Sequence, residues 1–189
     1  MSNSPPSVLP GDLLNSLAAI VGADHLHTDE ESRTFFSTDV FCQADVLAAA
    51  VVTPGSVTEL QAVMRLCFQH KTPTVVRGGG ASYTNAYLPI RAGTLTLDMS
   101  RLTGIEINAE DMYVTVEPGV TWAQLYEALA PHGLRTPMWG PFSGLVATVG
   151  GGMSHQAVNY GSGLYGVSAE SLLCMDVILA SGEMLSTGS

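Results

Sequence analysis

Charge is scarce in this chain. Charged residues make up 13% of its 189, with 7 Lys and Arg against 17 Asp and Glu, a net charge of −10. So few basic side chains argue against a nucleic-acid partner, because phosphate backbones are held by surplus Lys and Arg. One local basic site for a single phosphate group stays compatible with that balance. Cysteine is scarce too. Cys42, Cys67 and Cys174 are odd in number and widely spaced. They suit reduced thiols in a cytoplasmic protein and not a disulfide framework. No spacing resembles a zinc site, and no metal is expected. His25 and His27 sit two apart without a visible third ligand, and are expected to be a surface pair. The chain has no apolar run of about 18 residues, so no membrane span is expected. Its start, MSNSPPSVLPG, lacks the basic region and apolar stretch of a signal peptide. What is abundant is apolar content, 46%. That supports a sizeable core and argues against disorder.

Taken in order, residues 1–10 are rich in Ser and Pro and read as a flexible lead-in. Asp12 is placed to cap a helix carrying Leu13, Leu14, Leu17 and Ile20, with Gly22 as its stop. Asp29 to Phe41 is polar, with Phe35, Phe36 and Phe41 as expected anchors on the main domain. Val46 to Val52 is a continuous apolar run ending at Thr53-Pro54-Gly55, the pattern of a buried strand. Ser56 and Glu59 have capping-box spacing before a helix with Leu60, Val63, Met64, Cys67 and Phe68 on one face. Thr74 to Val76 is the next strand, completing a β-α-β unit. Leu95 and Leu97, Ile105 and Ile107, and Val114 and Val116 alternate with polar residues, which predicts antiparallel sheet. Thr121 and Gln124 form a second capping box, ahead of Trp122, Leu125, Tyr126 and Leu129 as an inner helix face. Residues 137–166 keep no periodicity and predict a long functional loop. Leu172 to Ala180, Ser181-Gly182 and Glu183 to Leu185 predict a strand, a two-residue turn and a return strand.

The chemistry centres on Val75 to Tyr87, VVRGGGASYTNAY. A strand that runs into Gly78, Gly79 and Gly80 leaves its next N–H groups unpaired and free to converge. Glycine allows positive φ and removes the Cβ that would keep a ligand away. Successive N–H groups in such a turn form an anion-binding concavity. Ser82 and Tyr83 add hydroxyl donors, and Arg77 adds a cation. The expected guest is a diphosphate, at the carboxyl end of a strand, where open α/β sheets bind ligands. On these residues alone an ordinary exposed turn remains an equal alternative. A Val at position 79 is expected to stand where the phosphate must approach, abolishing binding while leaving a folded protein.

Four stretches in register give this order of elements a family resemblance. They are VTPGSVTEL at 52–60, VRGGGAS at 76–82, VEPGV at 116–120, and ATVGGGM at 147–153 followed by Tyr165-Gly166 and VILASGE at 177–183. Together they resemble the FAD-binding domain of the vanillyl-alcohol oxidase / p-cresol methylhydroxylase flavoproteins, nearest the glycolate oxidase and D-lactate dehydrogenase branch. The resemblance implies an α+β fold of the p-cresol methylhydroxylase (PCMH) type: a small parallel β-α-β subdomain plus a second mixed or antiparallel sheet subdomain with flanking helices. It divides the chain into an N-terminal lead-in and helix, 1–45, and the FAD-binding domain proper, 46–189. It implies that Arg77, Gly78, Gly79, Gly80, Ala81, Ser82 and Tyr83 wrap the FAD pyrophosphate. It places Pro118 and Gly119 near the nucleotide, where a plain strand-to-helix turn is an equal reading. Pro141, Thr148, Val149, Gly150, Gly151, Ser154 and His155 fall where the family passes the ribityl chain and flavin ring. His155 and Tyr165 are weak catalytic candidates. Ala81 stands where covalently flavinylated members carry a histidine, so FAD is expected to be noncovalent. Asn85 replaces a common glycine and tolerates positive φ. The implied activity is oxidation of an alcohol or 2-hydroxy acid by hydride transfer to flavin N5. The alternatives are a non-catalytic flavin-binding subunit and an interaction domain without flavin. The family usually continues into another Gly-rich segment and a substrate-binding cap domain. These 189 residues alone are therefore expected not to be a competent enzyme, and to need that cap or a partner subunit.

Overall fold

The computed structural model describes residues 9–188. The Ser/Pro-rich lead-in lies outside the described residues as far as position 8. Helices are α1 (Gly11–Val21), α2 (Glu30–Phe36), α3 (Val57–His70), α4 (Trp122–Leu129), α5 (Val149–Ser154) and α6 (Ser162–Tyr165). Strands are β1 (Leu26–His27), β2 (Ala50–Val52), β3 (Thr74–Arg77), β4 (Leu95–Asp98), β5 (Ile105–Asn108), β6 (Tyr113–Val116), β7 (Met175–Ile178) and β8 (Met184–Thr187). They form one four-stranded sheet in the order β1-β2-β4-β3 and two hairpins, β5-β6 and β7-β8. The α+β fold class, with parallel and antiparallel sheet together, is as expected.

Two apolar cores organise these elements. In the first, α1 (Leu13, Leu17, Val21) and α3 (Val63, Cys67) lie on the mostly parallel sheet (Ala50, Val52, Leu95, Leu97). In the second, α4 (Trp122, Leu125, Leu129) packs with Val120, Met138 and Val149 against the apolar residues of β5-β6. Tyr126, assigned to that inner face, is exposed instead. The two caps form locally. Ser56 Oγ accepts from Glu59 N, and Glu59 reaches back to Gly55 N. At α4 both halves of the Thr121–Gln124 capping box are made.

Several expectations are corrected. Asp12 lies inside the first turn of α1, whose cap position is Pro10. Phe35 and Phe41 are exposed and do not act as buried anchors. The strand expected over 46–52 is regular only from Ala50. β4 is not part of an antiparallel sheet. It runs parallel between β2 and β3, pairing Val51↔Thr96 and Val75↔Thr96. Its alternation misleads because a central parallel strand is buried on both faces. All of Leu95–Asp98 is buried, and the Thr96 hydroxyl has no partner among the described residues. The loop at 137–166 contains α5 and α6. The β7-β8 turn is longer by one residue: Gly182 N donates to Leu179 O and Leu179 N to Glu183 O, with Gly182 at φ 79°. That is a three-residue loop with its glycine in the left-handed position. Gln61 of α3 donates to Gly182 O, which docks this turn on the first core.

Candidate functional site

The glycine loop leaves the carboxyl end of β3. Arg77 O accepts from Met99 N at 3.0 Å, so the last β3 carbonyl is still in the ladder. Beyond it the backbone changes character. Among the described residues, no protein acceptor takes the N–H of Gly78, Gly79, Gly80, Ala81, Ser82 or Tyr83. Gly79 and Tyr83 are exposed, and Gly80 turns the chain at φ 67°. A run of free donors at a strand end fits the diphosphate of a dinucleotide.

One further segment meets this loop, and a second meets that segment from behind. A Cβ on Gly78 would collide with the Thr148 side chain, and one on Gly79 with the carbonyl of Val146. A Cβ on Gly150 would stand 2.6 Å from Pro118 Cβ, and one on Gly119 2.7 Å from Leu102 O. Backbone bonds tie the same strands of chain: Val149 N to Val120 O at 2.7 Å, Gly150 N to Pro118 O at 3.3 Å, and Trp122 N to Ala147 O at 3.1 Å. So 146–150 joins the 78–79 loop to 118–120. Gly78, Gly79 and Gly150 are required first by these approaches, and Gly119 by its own approach to Met99 and Leu102. Thr148 is buried and caps α5 by accepting from Gly151 N at 3.2 Å. Ser154 Oγ donates to Gly150 O at 2.8 Å. The close packing of α5 continues at Gly152, where a Cβ would stand 3.2 Å from Trp122 Nε1. That indole N–H is buried without a partner among the described residues.

Arg77 is beside the loop but not free. It is 7% exposed. Its Nη1 donates to Thr38 O at 2.8 Å and to Phe35 O at 3.4 Å. Its guanidinium stacks on the rings of Phe35, Phe36 and Tyr87. Burial pulls its pKa below the ordinary value, against the opposing pull of Tyr87, Asp98 and Asp39. The cation therefore sits behind the loop as a structural post. Asp98, register partner of Arg77 on β4, is pushed up by burial and held by Ser100 N and Oγ.

The remaining expected residues lie apart from that junction. Pro141 lines a shallow groove on the outer flank of α4 with Tyr126, Trp139 and Phe142. His155 ends α5, exposed, its N–H bonded to Gly151 O. The Tyr165 hydroxyl accepts from Arg135 Nη2 at 2.9 Å, and Arg135 stacks on Trp139 and Tyr165. Among the described residues no group of His, Cys, Asp or Glu could hold a metal ion. Among the described residues no helix is long and apolar enough to cross a membrane.

Sequence reasoning missed what braces the loop from behind. Asp39 Oδ1 accepts from Phe41 N and Cys42 N, and its Oδ2 from Asn85 N at 3.0 Å. The bond from Cys42 N, most of all, holds the Asp39 carboxyl below the usual range. Asn85 adopts φ 58°, as its side chain permits. Tyr87 donates its hydroxyl to Gly80 O and Ser82 O. The signal was present as Asp39-x-x-Cys42, an Asx-turn spacing, but its partner lies 46 residues away.

The FAD binding domain family matches residues 48–188. The chain is 27% identical over 177 residues to the glycolate oxidase subunit GlcD of Bacillus subtilis, covering 94% of this chain and 37% of that protein. It is 30% identical over 184 residues to the mitochondrial D-lactate dehydrogenase [cytochrome] of Arabidopsis thaliana, covering 96% of this chain and 32% of that protein. It thus spans about a third of the length of the curated relatives it matches. Among solved structures, substrate-bound p-cresol methylhydroxylase superposes with a TM-score of 0.80 at 25% identity, over 97% of this chain and 37% of that one. Alkyldihydroxyacetonephosphate synthase shares the fold at a TM-score of 0.89 and 18% identity, over 98% of this chain and 36% of that one. With the glycine loop at the end of β3 and this match across both cores, the chain belongs to the FAD binding domain family.

Proposed function

We propose that this chain holds FAD noncovalently and forms the flavin-binding part of an oxidoreductase for an alcohol or 2-hydroxy acid. One observation carries the reading: the uncommitted N–H groups of Gly78 to Tyr83 at the carboxyl end of β3, with the Thr148 segment packed on that loop and Pro118 packed behind Gly150. Glycolate oxidase and D-lactate dehydrogenase among the relatives support the 2-hydroxy-acid class. When bound, the flavin supplies hydride acceptance at N5. The chain supplies binding and orientation. The 78–83 backbone takes the diphosphate, with the Ser82 hydroxyl beside it. Thr148, Val149, Gly150 and Gly151, fixed on Pro118 and Val120, form a rigid wall for the rest of the cofactor. Ala81 offers no atom for a covalent bond to the ring. On the substrate side, exposed His155 and the Arg135-braced Tyr165 are the groups available. A cap domain or partner subunit completes the substrate cavity, and the free thiols of Cys42, Cys67 and Cys174 suit a cytoplasmic setting.

The test is titration of the purified chain with FAD, followed by the visible flavin spectrum and by quenching of flavin fluorescence. One FAD per chain, with substrate-dependent bleaching once the complete enzyme is assayed on 2-hydroxy acids, is the expected result. A folded chain that takes up no flavin overturns the reading in favour of an interaction domain.

A further inference from the structure

The glycine loop has two sides, and the bonds on its closed side dictate what its open side presents. Gly80 O and Ser82 O both accept from the Tyr87 hydroxyl, at 2.7 and 3.2 Å. Ser82 O also accepts from Val40 N at 3.3 Å. A trans peptide is planar, so its N–H points opposite to its C=O. With Gly80 O and Ser82 O turned toward the Val40–Tyr87 side, the N–H groups of Ala81 and Tyr83 must point away from it. Neither has an acceptor among the described residues. The orientation of two donors at the candidate diphosphate site is thus set by groups on the far side of the loop.

One carboxylate holds the turn that carries Val40, and also Asn85, two residues before Tyr87. Asp39 Oδ1 accepts from Phe41 N at 2.7 Å and Cys42 N at 2.8 Å, and Asp39 N donates to Cys42 O at 2.9 Å. This closes a turn that carries Val40 N to Ser82 O. The other oxygen, Oδ2, takes Asn85 N at 3.0 Å, just where the loop backbone enters the left-handed region. Asp39 therefore fixes the turn that supplies Val40 and the loop's own exit at the same time. Both its oxygens are used, and it is 8% exposed.

We infer that Asp39 is a positioning residue for the flavin site: through the Val40 turn, and through Asn85, two residues before Tyr87, it aims the Ala81 and Tyr83 N–H groups at the cofactor's diphosphate. The inference rests on the FAD reading above. Asp39 lies outside the 48–188 match and touches none of the presumed ligand atoms itself, so its effect is carried entirely by loop geometry.

Asp39→Asn tests it. An asparagine has one acceptor oxygen and one donor nitrogen where the carboxylate has two acceptors. It can keep the 39–42 turn or the Asn85 bond, but not both. The measurements are FAD affinity by fluorescence quenching and amide spectra of labelled protein with and without FAD. In the wild type, the Ala81 and Tyr83 amide resonances are expected to move downfield on binding. In Asp39→Asn, affinity is expected to fall about tenfold or more, each tenfold being about 1.4 kcal/mol, with those two shifts lost and the rest of the spectrum kept. A merely structural role would lower the thermal midpoint while leaving the two FAD-induced shifts intact, and that result overturns the inference. If Asp39→Asn does not fold, Tyr87→Phe replaces it, removing only the hydroxyl that turns Gly80 O and Ser82 O. Wild-type affinity and shifts in Tyr87→Phe likewise overturn it. A wild-type chain that binds no FAD defeats the functional reading and this inference together, whereas wild-type binding with an unaffected variant defeats this one alone.

Discussion

Gly79 faces the carbonyl oxygen of Val146 so closely that no Cβ fits between them. The glycine loop and the 143–148 segment are therefore joined backbone to backbone, and the glycine at 79 serves that joint before it serves any ligand. Gly79→Val is expected to destabilise the fold by about 1–3 kcal/mol, the usual cost of forcing extra carbons into a packed contact, as well as to lose flavin. This corrects the expectation of an intact fold with an empty site. Gly78→Ala meets only the Thr148 side chain and is expected to cost less. Thermal unfolding of both variants decides: a wild-type midpoint for Gly79→Val would show that the 143–148 segment yields freely.

Arg77 holds two carbonyl oxygens and lies over three aromatic rings while nearly buried. Arg77→Met strands Thr38 O, leaves Phe35 O only its backbone donors, and takes the nearby cation from Asp98. A desolvated acceptor left without its donor costs about 1–3 kcal/mol, and this part-buried one is expected at the low end. Arg77→Lys keeps the charge but loses the planar stacking and the fork. The expected order of stability by urea unfolding is wild type, then Lys, then Met. Equal stability of Arg77→Lys would mean that charge alone matters here.

Local signals were legible in the sequence, and long-range ones were not. The Thr121–Gln124 box and the Ser56 cap came out as expected because each is decided within four residues. Asn85 took positive φ for the same reason. The partners of β4 could not be seen, since Leu95-Thr96-Leu97 has the same alternation in a half-exposed antiparallel strand as in this buried parallel one. α2 was missed because it buries no residue and so has no apolar stripe; only its Asp29 cap, accepting from Ser32 N, announced it. α5 was missed because Val149-Gly150-Gly151-Gly152 opposes helix propensity. Gly150 and Gly152 are kept by contact with Pro118 and Trp122, neither adjacent in sequence. The glycine loop itself was visible, but the direction of Arg77 and the Asp39 brace depend on residues brought from 33–42.

Asp98 and Asp39 are expected to respond to pH with opposite signs. Burial raises the Asp98 pKa in the folded state, so the folded chain binds that proton more tightly than the unfolded chain does. Its contribution to stability falls as pH rises from the ordinary carboxylate value through the raised one. Asp39 is lowered by its backbone bonds, first from Cys42 N. Its contribution is present above the ordinary value and is lost as pH falls through the lowered one. Asp98→Asn should remove the falling limb on the acid side of neutrality, and Asp39→Asn should leave that limb in place. Thermal midpoints across the acid range check this. An unchanged pH profile in Asp98→Asn would mean that its carboxyl is not the buried acid that the fold makes it.

Position 81, directly after the glycine triplet, is Ala. Its side chain has no lone pair to attack the flavin ring. Cys67 is the most shielded of the thiols, its pKa pushed up to about 11 by burial in the first core. At neutral pH it is a thiol and not the nucleophilic thiolate. Cys42 is half-buried with its Sγ on Asn85 Oδ1 at 3.1 Å, on the closed side of the loop. Cys174 is exposed, directly before β7. The wall formed by Thr148 to Gly151 contains no histidine, tyrosine or cysteine. Acid precipitation of the FAD-loaded chain should therefore release all the flavin to the supernatant, and the pellet should show no flavin fluorescence after proteolysis. Flavin retained in the pellet would identify an attached residue by peptide mass. His155, just past that wall, would be the first to examine, which would move the ring toward the end of α5.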